Sequence, residues 1–405
     1  MMEKGNNARD VDKTMTLRLK PPFHVVIIDP NEVIIRAGVW SGKSSSIKDN
    51  KQSGLLGRAM QLLDGLHSIE NIVSEVGEEH EEELLDLFDG LFKNRIVEAA
   101  PQDTGIEELP PEARDRFEPA QAFLSYISNQ PLSSTFSQLR KARVCLVGGG
   151  VIGARVALQL SQAGIGQLAI LDDTQVTEKD VYLTPWLKPE SVGENRGSVL
   201  ARCVGEFIPT TTVRAVNSNG GDLTDAVLEE AMQEINYIVV ATDLPNPSLY
   251  KQINDVALKN KVTWTIASLD GAVGLVGPTF IPYKTCCYTC YEMRLESNMF
   301  YFSAYQHYKK AAIKTALKYQ QAYVGLPSLA DIIAGFSTYD CVRHIATGFG
   351  FTPGKITRVD FQSGIIEIND VLKLPRCPAC GKTARGKPNV EVFHTFERVI
   401  KELGV

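Results

Sequence analysis

Apolar and polar positions follow two rhythms along this chain. The run Phe23-His-Val-Val-Ile-Ile-Asp29 reads as a strand, Pro30-Asn31 as a turn, and Glu32 to Arg36 as the hairpin partner. Residues 41–54 form a polar loop, and three short helices are predicted over Leu55–Leu63, Ser68–Val76 and Glu79–Leu91. Ser68 is placed to cap the second helix, because a short hydroxyl side chain satisfies orphan N–H groups of a first turn. Ile96 to Ala99 closes the unit as a last strand. Residues 1–14 read as a disordered lead-in, 15–100 as a compact α+β unit, and 101–119 as an acidic, Pro-containing linker. From 120 to 405 the rhythm changes. Apolar strands alternate with helices between Arg143 and Gly277, the pattern of an α/β domain whose sheet is mostly parallel. A helical stretch spans Leu329 to Ile345, and a short amphipathic helix is predicted over Phe393 to Leu403.

One junction in the larger domain carries chemistry. The strand Arg143–Val147 runs into Gly148-Gly-Gly150-Val-Ile-Gly153, a helix follows to about Ala163, and a second strand, Leu168–Leu171, ends on Asp172. Gly148 permits a tight turn, Gly150 lets backbone approach a phosphate, and Gly153 lets helix and strand pack closely. The helix N-terminus offers unpaired N–H groups to that phosphate. Asp172 is placed to accept from a ribose hydroxyl. The order of these parts points to a nucleotide; the turn itself is shared by NAD and ATP enzymes.

Bulk properties exclude several classes. The 405 residues are 44% hydrophobic and 22% charged, with a net charge of −6. That balance opposes a general nucleic-acid binder. No run of about 18 apolar residues suggests a membrane span, and the polar N-terminus lacks a secretory core. A cytoplasmic location is expected. Four of the eight cysteines form two C-x-x-C pairs, Cys287/Cys290 and Cys377/Cys380. Each pair has the reach to supply two thiolates to one tetrahedral structural zinc. Cys145, Cys203 and Cys341 lie in apolar patterns and read as core.

Two further positions narrow the nucleotide. The strand Ile235 to Thr242 delivers Asp243 to the carboxyl edge of the sheet, where a carboxylate opposite a triphosphate can hold Mg²⁺. Arg196 closes the segment Glu190-Ser-Val-Gly-Glu-Asn-Arg196 and is a candidate phosphate clamp. Together with the glycine turn they favour ATP over NAD.

Residues 120–385 resemble the ThiF/MoeB family of E1-like adenylating enzymes. The resemblance rests on Gly148, Gly150, Gly153, Ala163-Gly-Ile-Gly166, Asp172, Val192-Gly193-x-x-Arg196, Ala241-Thr-Asp243 and the paired cysteines. It implies a Rossmann-like domain, attack of a carboxylate on the α-phosphate of ATP, structural zinc and a homodimer. It also implies ribose binding by Asp172, phosphate binding by Arg196 and Mg²⁺ at Asp243. Two positions depart from the pattern: Asp180 and Leu183 stand where the family has an Asn and an Arg. Of the family's Arg-rich lead-in, Arg116 is the candidate. No cysteine lies between Asn298 and Tyr339, so a thioester or acyl-persulfide route has no thiol there.

The N-terminal unit resembles the PqqD-like winged helix that recognises leader peptides. The Val25–Arg36 hairpin, Leu62-Leu-Asp-Gly65 and Leu84 to Leu91 carry that resemblance. The acidic run from Glu78 to Glu83 would repel nucleic-acid phosphates. A leader strand beside the hairpin edge, against the Glu82–Leu91 helix, fits better. Such a fusion resembles the maturases of ribosomally made peptides of the pantocin A type. The expected function is ATP-dependent activation of a precursor side-chain carboxylate for cross-linking, with catalytic weight on Asp243 and Arg196. A leader-binding partner that hands the precursor to a separate cyclodehydratase is the alternative.

Overall fold

The computed structural model describes residues 9–40, 44–100, 109–128, 132–216, 224–243, 245–307, 323 and 325–381. The chain forms two compact units that divide between Gln138 and Leu139.

The first unit holds two small antiparallel sheets. Strands β1 (Thr16–Leu19), β5 (Asp64–Ser68) and β6 (Val97–Ala99) make one, in the order β5-β1-β6. Strands β2 (Phe23–Asp29), β3 (Glu32–Ala37) and β4 (Ser44–Lys48) make the other, in chain order. Helices α1 (Leu55–Gln61), α2 (Ile69–Val76) and α3 (Glu81–Lys93) cover a core of Leu17, Val33, Ile35, Ile69, Ile72 and Phe88. Ser68 caps α2 as expected, its hydroxyl accepting from Asn71 N at 3.2 Å. The polar 41–54 stretch is corrected in part. Ser44–Lys48 pairs with β3, opposite Ile35 through Ser45 and opposite Val33 through Ile47, because an edge strand can keep one face in water. Residues 9–14 of the expected disordered lead-in are also placed. Arg9 binds Glu82 and Asp86, and Lys13 binds Glu81, so the acidic face of α3 holds the segment by charge. Residues 111–119 of the expected linker belong to helix α4 (Pro111–Ile127), and 101–108 lie outside the described residues. Proline at its first position suits a helix start, since no N–H is lost there. Phe117 packs on Phe136, and Lys20 donates to the carbonyls of Ser125 and Ser128. Helix α5 (Leu132–Lys141) follows.

The second unit is an eight-stranded α/β sheet. Its strands are β7 (Arg143–Val147), β8 (Gln167–Leu171), β9 (Thr212–Val216), β10 (Tyr237–Ala241), β11 (Thr263–Asp270), β12 (Val273–Val276), β13 (Lys355–Asp360) and β14 (Ile365–Asp370). The order is β14-β13-β12-β11-β10-β7-β8-β9. Pairing from β9 to β11 is parallel, and β12 to β14 add antiparallel strands. Helices α6 (Val151–Gln162), α7 (Glu178–Leu183), α8 (Arg196–Phe207), α9 (Asp225–Ala231) and α10 (Pro247–Asn260) fall between strands. Helices α11 (Tyr288–Ser297) and α12 (Pro327–Thr347) precede β13. Strand β8 lies on one side of β7 and β10 on the other, so β7 is the topological switch point, where open α/β sheets form a ligand crevice. The helix expected over Phe393–Leu403 lies outside the described residues.

Candidate active site and metal centre

The carboxyl ends of β7, β8 and β10 converge on one crevice. Gly148 has φ of 97°, and a side chain there would meet the carbonyl of Ala241. Only glycine adopts this conformation freely, so the turn after β7 bends tightly onto α6. A side chain at Gly150 would overlap the Asp243 carboxylate, and one at Gly153 would overlap the Gly148 carbonyl. The three glycines therefore sit where backbone, strand and acid crowd together.

Asp243, just past β10, caps α6. Its Oδ2 accepts from Val151 N and its Oδ1 from Ile152 N, both at 3.0 Å. A helix N-terminus favours an anion at that point. Burial pushes the Asp243 carboxyl above the usual carboxylate range, while the two N–H groups and Arg196 pull the other way. Asp172, at the tip of β8, is buried. Its Oδ2 accepts from Gly149 N at 2.5 Å and from Arg196, and its Oδ1 accepts from Thr174 N at 2.9 Å.

Arg196 opens α8 behind its cap Asn195, whose side chain accepts from Ser198 N at 2.8 Å. The guanidinium lies 2.8 Å from Asp172 and 3.1 Å from Asp180. Burial alone would lower its pKa, but Asp172, Asp180 and Asp243 outweigh that and hold it above the usual value. Asp180 serves two purposes. It completes a capping box with Thr177 at the start of α7, and its other oxygen holds Arg196. The structure thus gathers Gly148, Gly150, Gly153, Asp172, Arg196 and Asp243 in one place. Its cation faces three carboxylates, and a carboxylate fills the helix end.

Arg155, buried on α6, also belongs to this neighbourhood and is not among the residues expected from sequence. Its guanidinium pairs with Asp331 of α12 and donates to the carbonyls of Val151 at 2.9 Å and Leu183 at 3.2 Å. It also lies 5.6 Å from the Trp186 ring centroid, a cation–π contact. A lone arginine in an apolar helix run from Val151 to Leu160 was the available signal.

The four paired cysteines meet as expected. Cys287 and Cys290, at the start of α11, and Cys377 and Cys380, past β14, place their sulfurs within 4.8 Å of one another. Cys287 lies 3.8 Å from Cys290 and 3.6 Å from Cys377, and Cys290 lies 3.6 Å from Cys380. Four thiolates at about 2.3 Å from a tetrahedral zinc stand about 3.8 Å apart, so the donor set fits that ion. Leu374 N points at Cys290 Sγ at 3.4 Å, the kind of N–H contact that supports a thiolate. Trp264, Phe280 and Tyr288 pack around the cluster. Burial pushes the Cys145 thiol up to about 12 and holds the Cys341 thiol well above its ordinary value, consistent with inert core residues. Among the described residues no helix is long and apolar enough to cross a membrane.

The sheet, glycine turn and strand-tip acids define a Rossmann-like nucleotide-binding domain with a four-cysteine centre. The sequence profile of the ThiF family matches residues 129–359, more than half of the chain. The chain therefore belongs to the ThiF family, the ATP-dependent adenylating enzymes. It is 22% identical over 244 residues to the molybdopterin-synthase adenylyltransferase of Salmonella typhimurium, covering 60% of this chain and 89% of that one. It is 26% identical over 167 residues to the adenylyltransferase and sulfurtransferase UBA4 of Debaryomyces hansenii. That match covers 38% of this chain and a third of the relative. Among solved structures, E. coli MccB with AMPCPP and selenomethionyl MccA superposes with a TM-score of 0.66 at 16% identity, covering 91% of this chain and all of MccB. PaaA superposes with a TM-score of 0.65 at 20% identity over 87% of this chain and 99% of its own. These likenesses concern the fold.

Proposed function

We propose that this chain activates a side-chain carboxylate of a ribosomally made precursor peptide with ATP, after docking the peptide's leader on the N-terminal unit. The observation that carries the reading is the helix end at Val151 N and Ile152 N, which holds the Asp243 carboxylate beside the Asp172–Arg196 pair. ATP phosphates would displace the Asp243 carboxylate from those N–H groups, and Asp172 would turn toward the ribose. Mg²⁺, when bound through Asp243, would neutralise charge on the phosphates. A precursor carboxylate oxygen then attacks the α-phosphorus; the α–β P–O bond breaks, pyrophosphate leaves, and an acyl-adenylate forms. A nucleophile of the same precursor attacks the acyl carbon and AMP departs, closing the cross-link. Without a thiol between Asn298 and Tyr339, the intermediate has no enzyme cysteine in that stretch to pass to. Zinc in the four-cysteine centre is structural, and the enzyme works as a homodimer.

Leader docking is supported by a groove of about 610 Å³ in the N-terminal unit, between edge strand β4 and helix α3. Phe23, Ile35, Ile47, Leu87, Leu91 and Ile96 line it. An extended peptide beside β4 would take up the strand's free edge and press apolar side chains onto α3, as in β-augmentation. The fold is shared with the microcin C7 biosynthetic enzyme MccB, solved with N-formylated MccA at 17% identity and a TM-score of 0.65.

A non-catalytic leader-binding role is the second reading. It is favoured by Leu183, which supplies no cation, and by the ion pairs that occupy Arg196. Incubation with Mg-ATP and a short peptide encoded beside the gene separates the two. AMP together with loss of water from the peptide supports the enzyme. Tight peptide binding without nucleotide turnover supports the partner role.

A further inference from the structure

We infer that the groove of the N-terminal unit selects a leader carrying a basic residue two positions from a bulky apolar one, the first read by Asp86 and the second by Gly90. The inference rests on leader docking in that groove and adds which side chains the docked strand must bring. Asp86 and Gly90 both line the groove on its α3 side. Four residues apart on a helix, they share a face and stand about 6 Å apart along the axis. In an extended strand, residues two apart project from one face at a spacing of about 6.8 Å. A leader strand lying along α3 therefore meets the two positions with alternate side chains.

Gly90 leaves a gap in the groove wall. A side chain there would meet nothing within 4 Å, although glycine weakens a helix interior relative to alanine. The protein thus gives up helix propensity at a point where its own packing does not need the space. Leu87 and Leu91 flank the gap, so it suits an aromatic or long aliphatic side chain. Asp86 supplies the charge. Of the acids on α3, Glu81, Glu82, Glu83, Asp86 and Asp89, it is Asp86 that lines the groove. Its carboxylate already holds a guanidinium, since Oδ1 accepts from Arg9 Nε at 3.0 Å and from Arg9 Nη2 at 2.7 Å. The Asp86 side chain is 72% exposed, and exposed ion pairs are weak. A leader cation can therefore take the place of Arg9, which acts as an internal competitor.

The test titrates the full chain by calorimetry with the leader of the short peptide encoded beside the gene, each leader residue replaced in turn by alanine. A Lys or Arg and a bulky apolar residue two positions away should stand out, each losing about fivefold in affinity. Against Asp86→Ala the loss at the basic residue should vanish while the loss at the apolar residue stays, the signature of a direct pair. Gly90→Leu should bind the unaltered leader about tenfold more weakly, with a melting midpoint no lower than that of wild type, because the added side chain fills the gap and meets nothing in the protein. Arg9→Ala, which removes the competitor, should bind about twofold more tightly. A leader that binds with no basic residue coupled to Asp86, or as tightly to Gly90→Leu as to wild type, would overturn the inference and leave leader docking standing. If wild type binds no leader, the docking itself fails and the inference with it.

Discussion

The Arg155 guanidinium donates to the Leu183 carbonyl at 3.2 Å, tying the nucleotide-turn helix to the end of α7. Its other contacts are the Val151 carbonyl, Asp331 and the Trp186 ring, and its side chain is 5% exposed. Asp331 is more than half exposed and stays hydrated without its partner. The Leu183 carbonyl loses its guanidinium donor, while the Val151 carbonyl keeps its backbone bond within α6. Arg155→Leu should therefore destabilise the second unit by about 3 kcal/mol, the scale of breaking a buried charged network. A lower denaturant midpoint at unchanged slope checks this; an unchanged midpoint would show that the contacts contribute little.

One zinc ion per chain is expected at Cys287, Cys290, Cys377 and Cys380. The cluster joins segments about ninety residues apart, so metal binding free energy becomes folding free energy. Cys290→Ser should lower metal content, and the melting midpoint should fall by about 10 °C. Purified protein without zinc, or a variant that keeps full metal content, would contradict it.

The groove predicts a separation of functions. Leu87→Asp places a charge against Phe23 and Ile47 and should weaken leader-peptide binding about tenfold or more. ATP affinity should be unchanged, since the glycine turn belongs to the other compact unit. Calorimetry with the leader peptide and, separately, with Mg-ATP gives both numbers. Equal peptide affinity in variant and wild type would place the leader elsewhere.

Parts of this architecture were legible because their signals are local. The turn from Gly148 to Gly153, the acids at 172 and 243 and the two C-x-x-C pairs sit where their spacing placed them. Strands β1, β4 and β5 were not legible. They are four or five residues long and polar in part; β1 pairs across a long stretch of chain, as Leu17 opposite Ala99 shows, and β4 is a mostly exposed edge strand that begins with three serines. Strand β14 hides for a different reason. Ile365, Ile366 and Ile368 are exposed, so no buried face imposes an alternating pattern. The capping of α6 by Asp243 depends on a contact across ninety residues, which no local pattern encodes.

Asp243 should also destabilise the empty protein. Its folded pKa lies above the ordinary carboxylate value because burial disfavours the charge. A raised pKa contributes stability only below the unfolded value near 3.9, and that contribution is lost as pH rises through the folded value. Asp243→Asn should therefore melt higher than wild type at pH 7, with the gap closing below about pH 4. A wild type more stable than the variant at pH 7 would mean that the two N–H bonds dominate over burial.

The central claim is that a precursor carboxylate attacks the α-phosphorus of ATP. The most direct measurement supplies precursor peptide labelled with ¹⁸O in its Glu and Asp carboxylates and follows the label by mass spectrometry. The account predicts labelled AMP alongside dehydrated peptide, at a rate about a hundredfold lower for Asp243→Asn. Label in inorganic phosphate, or peptide bound with no ATP consumed, would contradict it.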